Sequence, residues 1–452
     1  MNQKKLFHLL IISFILCFQS CTNNNTESTT GKDSKQDSLN RYSYIKVNGT
    51  RFELDGKPYY YLGANFWQGM NLGSKGKGGD RGRLLRELDR MKELGITNLR
   101  IIAGSEGPET EPYRIIPAVQ TAPGIYNEEL MDGLDFLLSE MRKRNMYAVV
   151  CLNNFWHWSG GMGQYIVWSG AADSIPYPPP HPNGSWDGYM KFITSFYSNE
   201  KAMKTYRDFI QMIVTRKNKY TGLSYKDEPA IMSWQLANEP RAMQNREKFL
   251  NWIETTSSFI KSLDSNHLVT VGSEGETPFA DAGMKFTEDH QSKSVDYSTI
   301  HIWAQNWMWY DPLKAKTYEP AKNRMLDYFK DHLEKSNTIK KPMVVEEFGL
   351  ARDKGSFDPA SSTVSKDNYY SEVFNAVYTA ASNGAPVSGV NFWAWSGESL
   401  PSKPYGSFWK SGDDFTGDPP HEQQGWYSVY TKDSSTVKII SEFAGKMNAL
   451  NK

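Results

Sequence analysis

Cysteine is almost missing from this chain, with three in 452 residues. Cys17 and Cys21 belong to the extreme N-terminus and Cys151 to the apolar run 147–152, so no disulfide framework holds the fold together. Neither sign of charge dominates: Lys+Arg and Asp+Glu number 51 each, and no basic run follows the first few residues. Nucleic acid requires a clustered cationic surface, so that class of partner is set aside. The apolar run 6–18 is too short to span a bilayer. No Gly-x-Ser-x-Gly elbow occurs, which argues against an esterase. The glycine-rich stretch 73–79 lacks the Gly-Lys-Ser/Thr ending of a phosphate loop. The eight His residues show no ligand pair at helical spacing, so neither a metal nor a cofactor is assigned.

What is present begins with an export signature. Lys4 and Lys5 precede the apolar run 6–18, and Gln19, Ser20 and Cys21 close it. A small residue directly before a Cys, followed by the polar stretch 22–40, resembles a bacterial lipoprotein signal with Cys21 as the acylated N-terminus. Phe18 and Gln19 depart from the usual form of that signal. The expectation is a signal peptide at 1–21, a flexible linker at 22–40 and one folded domain at 41–452, exported as a monomer. It would be anchored to the cell envelope, at the outer membrane, by lipid alone; plain secretion is the alternative.

Past the linker, residues 52–60 read as a hairpin turning at Asp55 and Gly56. Strand-like runs then alternate with amphipathic helical ones. The strands fall at 60–67, 97–102, 147–154, 231–237, 268–274, 297–303, 342–349 and 389–395. The helices fall at 81–94, 128–144, 202–220, 246–263, 321–335, 368–382 and 437–450. Eight such strands with no break point to an α/β fold, a single (β/α)₈ barrel with long βα loops. The unit between Glu274 and Tyr297 has the weakest helical signal, and the longest connection, about 159–200, is rich in Gly, Pro and aromatics.

Polar residues collect at the ends of these strands, which a barrel brings to one mouth. Among them Glu239 and Glu347 close the fourth and seventh strands. Paired acids with aromatic platforms and no metal ligands are what glycoside hydrolysis requires. Trp67, Trp156, Trp158, Trp303, Trp307, Trp309, Trp393 and Trp395 lie at or just past strand ends and are candidate sugar platforms.

Asn238-Glu239-Pro240-Arg241 resembles the acid/base motif of the (β/α)₈ retaining glycosidases, and Glu347-Phe348-Gly349 resembles their nucleophile motif. With Asn153, Asn154 and Trp156, His301 followed by Trp307, and Phe392-Trp393, the sequence is similar to the endo-β-1,4-mannanases of glycoside hydrolase family 5 over about 45–445. The resemblance implies that Glu239 is the general acid/base and Glu347 the nucleophile. It implies that Arg100 lies near the nucleophile, that Asn238 contacts the sugar 2-hydroxyl, and that His301 and Trp393 belong to the site. Trp67, Asn153, Asn154, Trp156, Trp303, Trp307 and Glu274 complete the expected substrate contacts. One residue departs: Trp303 stands where the family usually carries Tyr, and an indole donates one hydrogen bond but accepts none.

The implied activity is endo-acting hydrolysis of β-1,4-mannosidic bonds in mannan, galactomannan or glucomannan, with β-mannan and manno-oligosaccharides as the partners. Retained configuration requires the two carboxyl groups about 5–5.5 Å apart. Two alternatives are carried. One is an endo-β-1,4-glycanase acting on glucan. The other is a non-catalytic glycan-binding surface lipoprotein, which would not need both acids.

Overall fold

Asp55 and Gly56 both take positive φ, 54° and 78°, as the two-residue turn that suits strand twist demands. They join strand β2 (Arg51–Leu54) to β3 (Lys57–Tyr59), the expected hairpin, and β1 (Lys46–Asn48) pairs with β2 to make a third antiparallel strand. Phe52 points from this small sheet into a cluster with Tyr61, Tyr147, Met232, Leu268 and Tyr297, which stops the lower end of the barrel. This computed structural model describes residues 43–452; the expected signal 1–21 with Cys21, and the linker 22–40, lie outside them.

Eight parallel strands follow, interleaved with helices: β4 (Tyr61–Asn65), α1 (Arg81–Glu93), β5 (Asn98–Ile102), α2 (Glu128–Lys143), β6 (Tyr147–Cys151), α3 (Glu200–Thr215), β7 (Ile231–Gln235), α4 (Arg246–Leu263) and β8 (Leu268–Thr270). The chain continues through β9 (Ser298–Ile302), α5 (Tyr318–Ile339), β10 (Met343–Phe348), α6 (Val364–Ser382), β11 (Val387–Phe392) and α7 (Ser434–Ala449). The sheet runs β8-β7-β6-β5-β4-β11-β10-β9. Its two ends meet: Asp296 N–H donates to the Val269 carbonyl (2.8 Å) and His301 N–H to that of Glu274 (2.9 Å). The result is the (β/α)₈ barrel. Every residue of the eight strands is buried, which is why they read as continuous runs rather than alternating ones.

The helices carry their own start and stop chemistry. Asn127 caps α2 by accepting from the N–H groups of Glu129 and Leu130, with Glu128 and Glu129 in its first turn and Arg142 and Lys143 in its last. Between β8 and β9 the helical unit shrinks to Phe286–His290, in line with its weak periodicity. The 159–200 connection folds into short helices, Gly161–Trp168 and Trp186–Ile193, over the C-terminal mouth. A second long excursion leaves β11 and returns to α7, tied by a ladder between Trp395–Gly397 and Val429–Tyr430. No helix among the described residues is long and apolar enough to cross a membrane.

Candidate active site

Glu239 leaves the end of β7 with a left-handed backbone, φ 52°, while its N–H donates to the Gly272 carbonyl at 2.9 Å. That conformation costs a non-glycine residue about 1–3 kcal/mol, and it aims the carboxylate across the mouth. Glu347 ends β10, where a register shift between Ile300 and His301 sets His301 beside it on the neighbouring strand. One oxygen of Glu239, one of Glu347 and a ring nitrogen of His301 all lie within 4.8 Å of one another. This group is the only one among the described residues with a spacing a metal ion would accept, but its atoms are already engaged by side chains.

His301 Nδ1 lies 2.6 Å from Glu239 Oε1 and 3.3 Å from Glu347 Oε2. Burial opposes a charge on His301, but the Glu347 charge and hydrogen bonds to Glu239, Glu346 and Glu347 outweigh it and hold its pKa well above the usual range. The Trp303 indole N–H donates to Glu239 Oε1 at 3.3 Å and that of Trp156 to Oε2 at 2.5 Å. At Trp303, where the family usually carries Tyr, the single indole donor thus finds the Glu239 carboxylate. Gly349 packs closely behind it: a Cβ there would lie 3.1 Å from the Trp393 carbonyl and 3.2 Å from the Trp303 ring, so these neighbours would have to give by a few tenths of an ångström.

Arg100 anchors the other acid. Its Nη1 pairs with Glu347 and reaches Asn65 Oδ1 at 3.1 Å, its Nη2 donates to Asn238 Oδ1 at 2.7 Å, and its Nε donates to Gln235 Oε1 at 2.9 Å. Glu346 is drawn toward the same cation, 3.7 Å from Nε, and accepts from Gln235 Nε2 at 2.6 Å. Neighbouring side chains on a strand point to opposite faces, yet both acids of β10 approach Arg100, and only Glu347 lines the cavity.

The cavity above this cluster has a volume of about 770 Å³. Glu239, Glu347, Asn238, Glu274, Trp156, Trp303, Trp307 and Trp393 line it, as does Trp158. Arg100 and His301 lie beside the two acids, as expected, and five of the expected contacts, these two with Asn153, Asn154 and Trp67, are not in the cavity lining. Arg100, Asn153, Asn154 and His301 do not reach the wall and instead hold the groups that do. Asn154 Oδ1 accepts from Asn238 Nδ2 at 3.2 Å, and the Asn153 carbonyl accepts from the Asn238 N–H at 2.9 Å. Trp67 is 2% exposed, donates to the Gly417 carbonyl at 2.9 Å and packs edge-on against Trp158 and Phe415. Trp395 is likewise internal, donating to Glu87 at 2.7 Å, and Trp309 packs on Trp307 and Tyr328 outside the cavity lining. Glu274 lines the wall with both oxygens held by Arg241, 2.7 and 2.9 Å, and that guanidinium lies over the Trp156 ring.

Other lining residues have no strand-end signal in the sequence: Trp186 at the start of the short helix Trp186–Ile193, Phe279 on a loop, and His421, Glu422 and Trp426 from the excursion between β11 and α7. Trp186 is 43% exposed and meets Trp156 edge-on, extending the aromatic wall outward from Glu239.

Comparison with known proteins agrees with this geometry. The chain is 40% identical to a glycoside hydrolase family 5 mannosidase from Rhizomucor miehei, with 91% of this chain and 99% of that one covered and a TM-score of 0.84. A variant of that protein has been solved in complex with mannosyl-fructose. Mannan endo-1,4-beta-mannosidase 5 of Solanum lycopersicum is 30% identical over 372 residues, 79% of this chain and 82% of that protein. An endo-1,4-beta-mannanase from Rhizomucor miehei, 22% identical, shares the fold with a TM-score of 0.65 over 90% of this chain and all of its own. Residues 42–452 match the family described as GH family 5 beta-mannosidase-like, and the chain is a glycoside hydrolase belonging to that family.

Proposed function

We propose that this enzyme hydrolyses β-1,4-mannosidic linkages within mannan, galactomannan or glucomannan by a double displacement that retains configuration, with Glu347 as nucleophile and Glu239 as general acid and then base. The observation that carries this reading is the approach of the two carboxylates, whose nearest oxygens lie within 4.8 Å. Inversion needs room for a water between carboxyl groups about 6.5–9.5 Å apart. Three carboxyl groups, Glu239, Glu346 and Glu347, crowd around Arg100 and His301. The mechanism needs a proton on Glu239, to pass to the departing oxygen, and a carboxylate at Glu347, which Arg100 holds in place for attack on the anomeric carbon. Esterification removes the Glu347 charge, and Glu239 then accepts a proton from the incoming water.

A second reading, release of single mannosyl units from chain ends, is favoured by the 40% identity to the fungal mannosidase over nearly the whole of both chains. Digestion of mannopentaose labelled at the reducing end separates the two. Cutting within the chain gives mannobiose and mannotriose early; end-wise release gives mannose and labelled mannotetraose first. Equal cutting of a linear β-1,4-glucan would replace mannan with the glucan alternative and leave the mechanism unchanged.

Export on a lipid anchor at Cys21 is proposed from the sequence of residues 1–40. Radiolabelled palmitate supplied to producing cells is expected to enter the wild-type chain and not Cys21→Ser; equal label in both rejects the anchor.

A further inference from the structure

Glu422 is an acid that the reaction above does not use. It lines the same cavity as Glu239 and Glu347, and its Oε2 is buried without a hydrogen-bond partner. No cation among the described residues pairs with it, which is rare for a carboxyl group with a buried oxygen. The backbone that carries it is fixed. Its N–H donates to the Pro419 carbonyl at 2.9 Å, and Asp418 receives the N–H groups of Gly425 and Tyr427 and the Ser428 hydroxyl at 2.6–2.8 Å. The hydrogen-bonded loop thus sets into the cavity wall an acid one of whose oxygens lacks a partner. Burial, then the charges of Asp418, Glu347 and Glu239 in that order, push its pKa well above the usual carboxylate range.

Its side of the cavity follows from its neighbours. The adjacent His421 ring stacks on Trp158, which meets Trp393 edge-on. Trp393 in turn belongs with the strand that carries Glu347, its N–H donating to the Phe348 carbonyl at 2.8 Å. Trp156 and Trp186, by contrast, extend from Glu239, the group that protonates the leaving oxygen. We propose that Glu422 is a specificity-determining residue that hydrogen-bonds the hydroxyl groups of the glycone sugar, the ring whose anomeric carbon Glu347 attacks. A carbohydrate hydroxyl supplies the partner that Oε2 lacks, and the cost of holding the acid unpaired in the free enzyme becomes selectivity for a correctly placed hydroxyl.

This rests on Glu347 being the nucleophile. The test compares Glu422→Gln and Glu422→Ala with wild type on 4-nitrophenyl β-mannoside and 4-nitrophenyl β-glucoside, together with melting temperature. An aryl glycoside of one sugar reports the glycone position directly. Expected is a loss of kcat/KM of about 10- to 100-fold on the glycoside the wild type prefers, larger for Ala than for Gln. The melting temperature should be unchanged or higher, since an uncompensated buried acid is removed. Wild-type turnover in both variants, or a loss of activity that tracks a falling melting temperature, would overturn the proposal. A wild type that prefers the β-glucoside and loses it on substitution would retain the role of Glu422 while rejecting the mannoside reading.

Discussion

Glu347→Ala is expected to lower kcat on every β-mannoside by more than about 10⁴-fold, the scale on which removal of a covalent nucleophile acts. The loss should not depend on the leaving group, because the missing bond is to the anomeric carbon. Azide supplied to this variant fills the space left by the carboxylate and attacks from the same face, giving an α-mannosyl azide from a β-mannoside. Glu239→Ala should behave differently. Its loss, about 10²–10⁴-fold, falls on substrates whose leaving oxygen needs a proton. A 2,4-dinitrophenyl mannoside departs without one, so its first step survives and the glycosyl-enzyme accumulates in a burst. Azide then intercepts the intermediate and gives the β-mannosyl azide. Interchanged azide products would interchange the two roles, and a Glu347→Ala variant keeping more than about a hundredth of wild-type kcat would remove Glu347 from the chemistry.

The asymmetry of that experiment has its basis in how differently the two acids are held. Glu347 is tied to the Arg100 guanidinium, whereas Glu239 accepts from the His301 ring and two indoles. The Oε2 that Trp156 occupies is the oxygen free of His301 and Trp303, so substrate entry has to share or displace that indole donor.

The barrel was legible because its strands are short buried runs and its helices long periodic ones, and each signal is local. The acids were legible for the same reason: β7 and β10 end in them. Tryptophan was harder, because a strand-end indole is a platform only if no loop covers it. Trp67 is covered by the Gly417 carbonyl and Trp395 by Glu87, partners hundreds of positions away in the chain that no local pattern reveals. Conversely, Glu422 and Trp426 come from an irregular stretch whose Gly, Pro and Asp content reads as a loop and whose course depends on the Asp418 hydrogen bonds. Arg241 belongs to the Asn238–Arg241 motif, yet its place over Trp156, clamped by Glu274, depends on three different strand ends meeting.

Arg100→Met is expected to destabilise the fold by about 3–5 kcal/mol, because it leaves Glu346 and Glu347 buried without their cation. Against a total of about 5–15 kcal/mol for a typical protein, that is enough to unfold much of the population on mild heating. Arg100→Lys separates charge from geometry. An ammonium keeps the positive charge but cannot at once reach Glu347, Asn65, Asn238 and Gln235, which the planar fork engages in the wild type. The Lys variant should therefore remain folded, with a melting temperature between wild type and Arg100→Met. Its kcat should fall by about 10²-fold, because a small misplacement of Glu347 and Asn238 forfeits the near-attack geometry. Thermal unfolding and kinetics on an aryl mannoside read the two effects independently. Arg100→Lys with wild-type kcat would reduce Arg100 to a charge, and Arg100→Met with wild-type stability would mean that the two acids share a proton instead of relying on the cation.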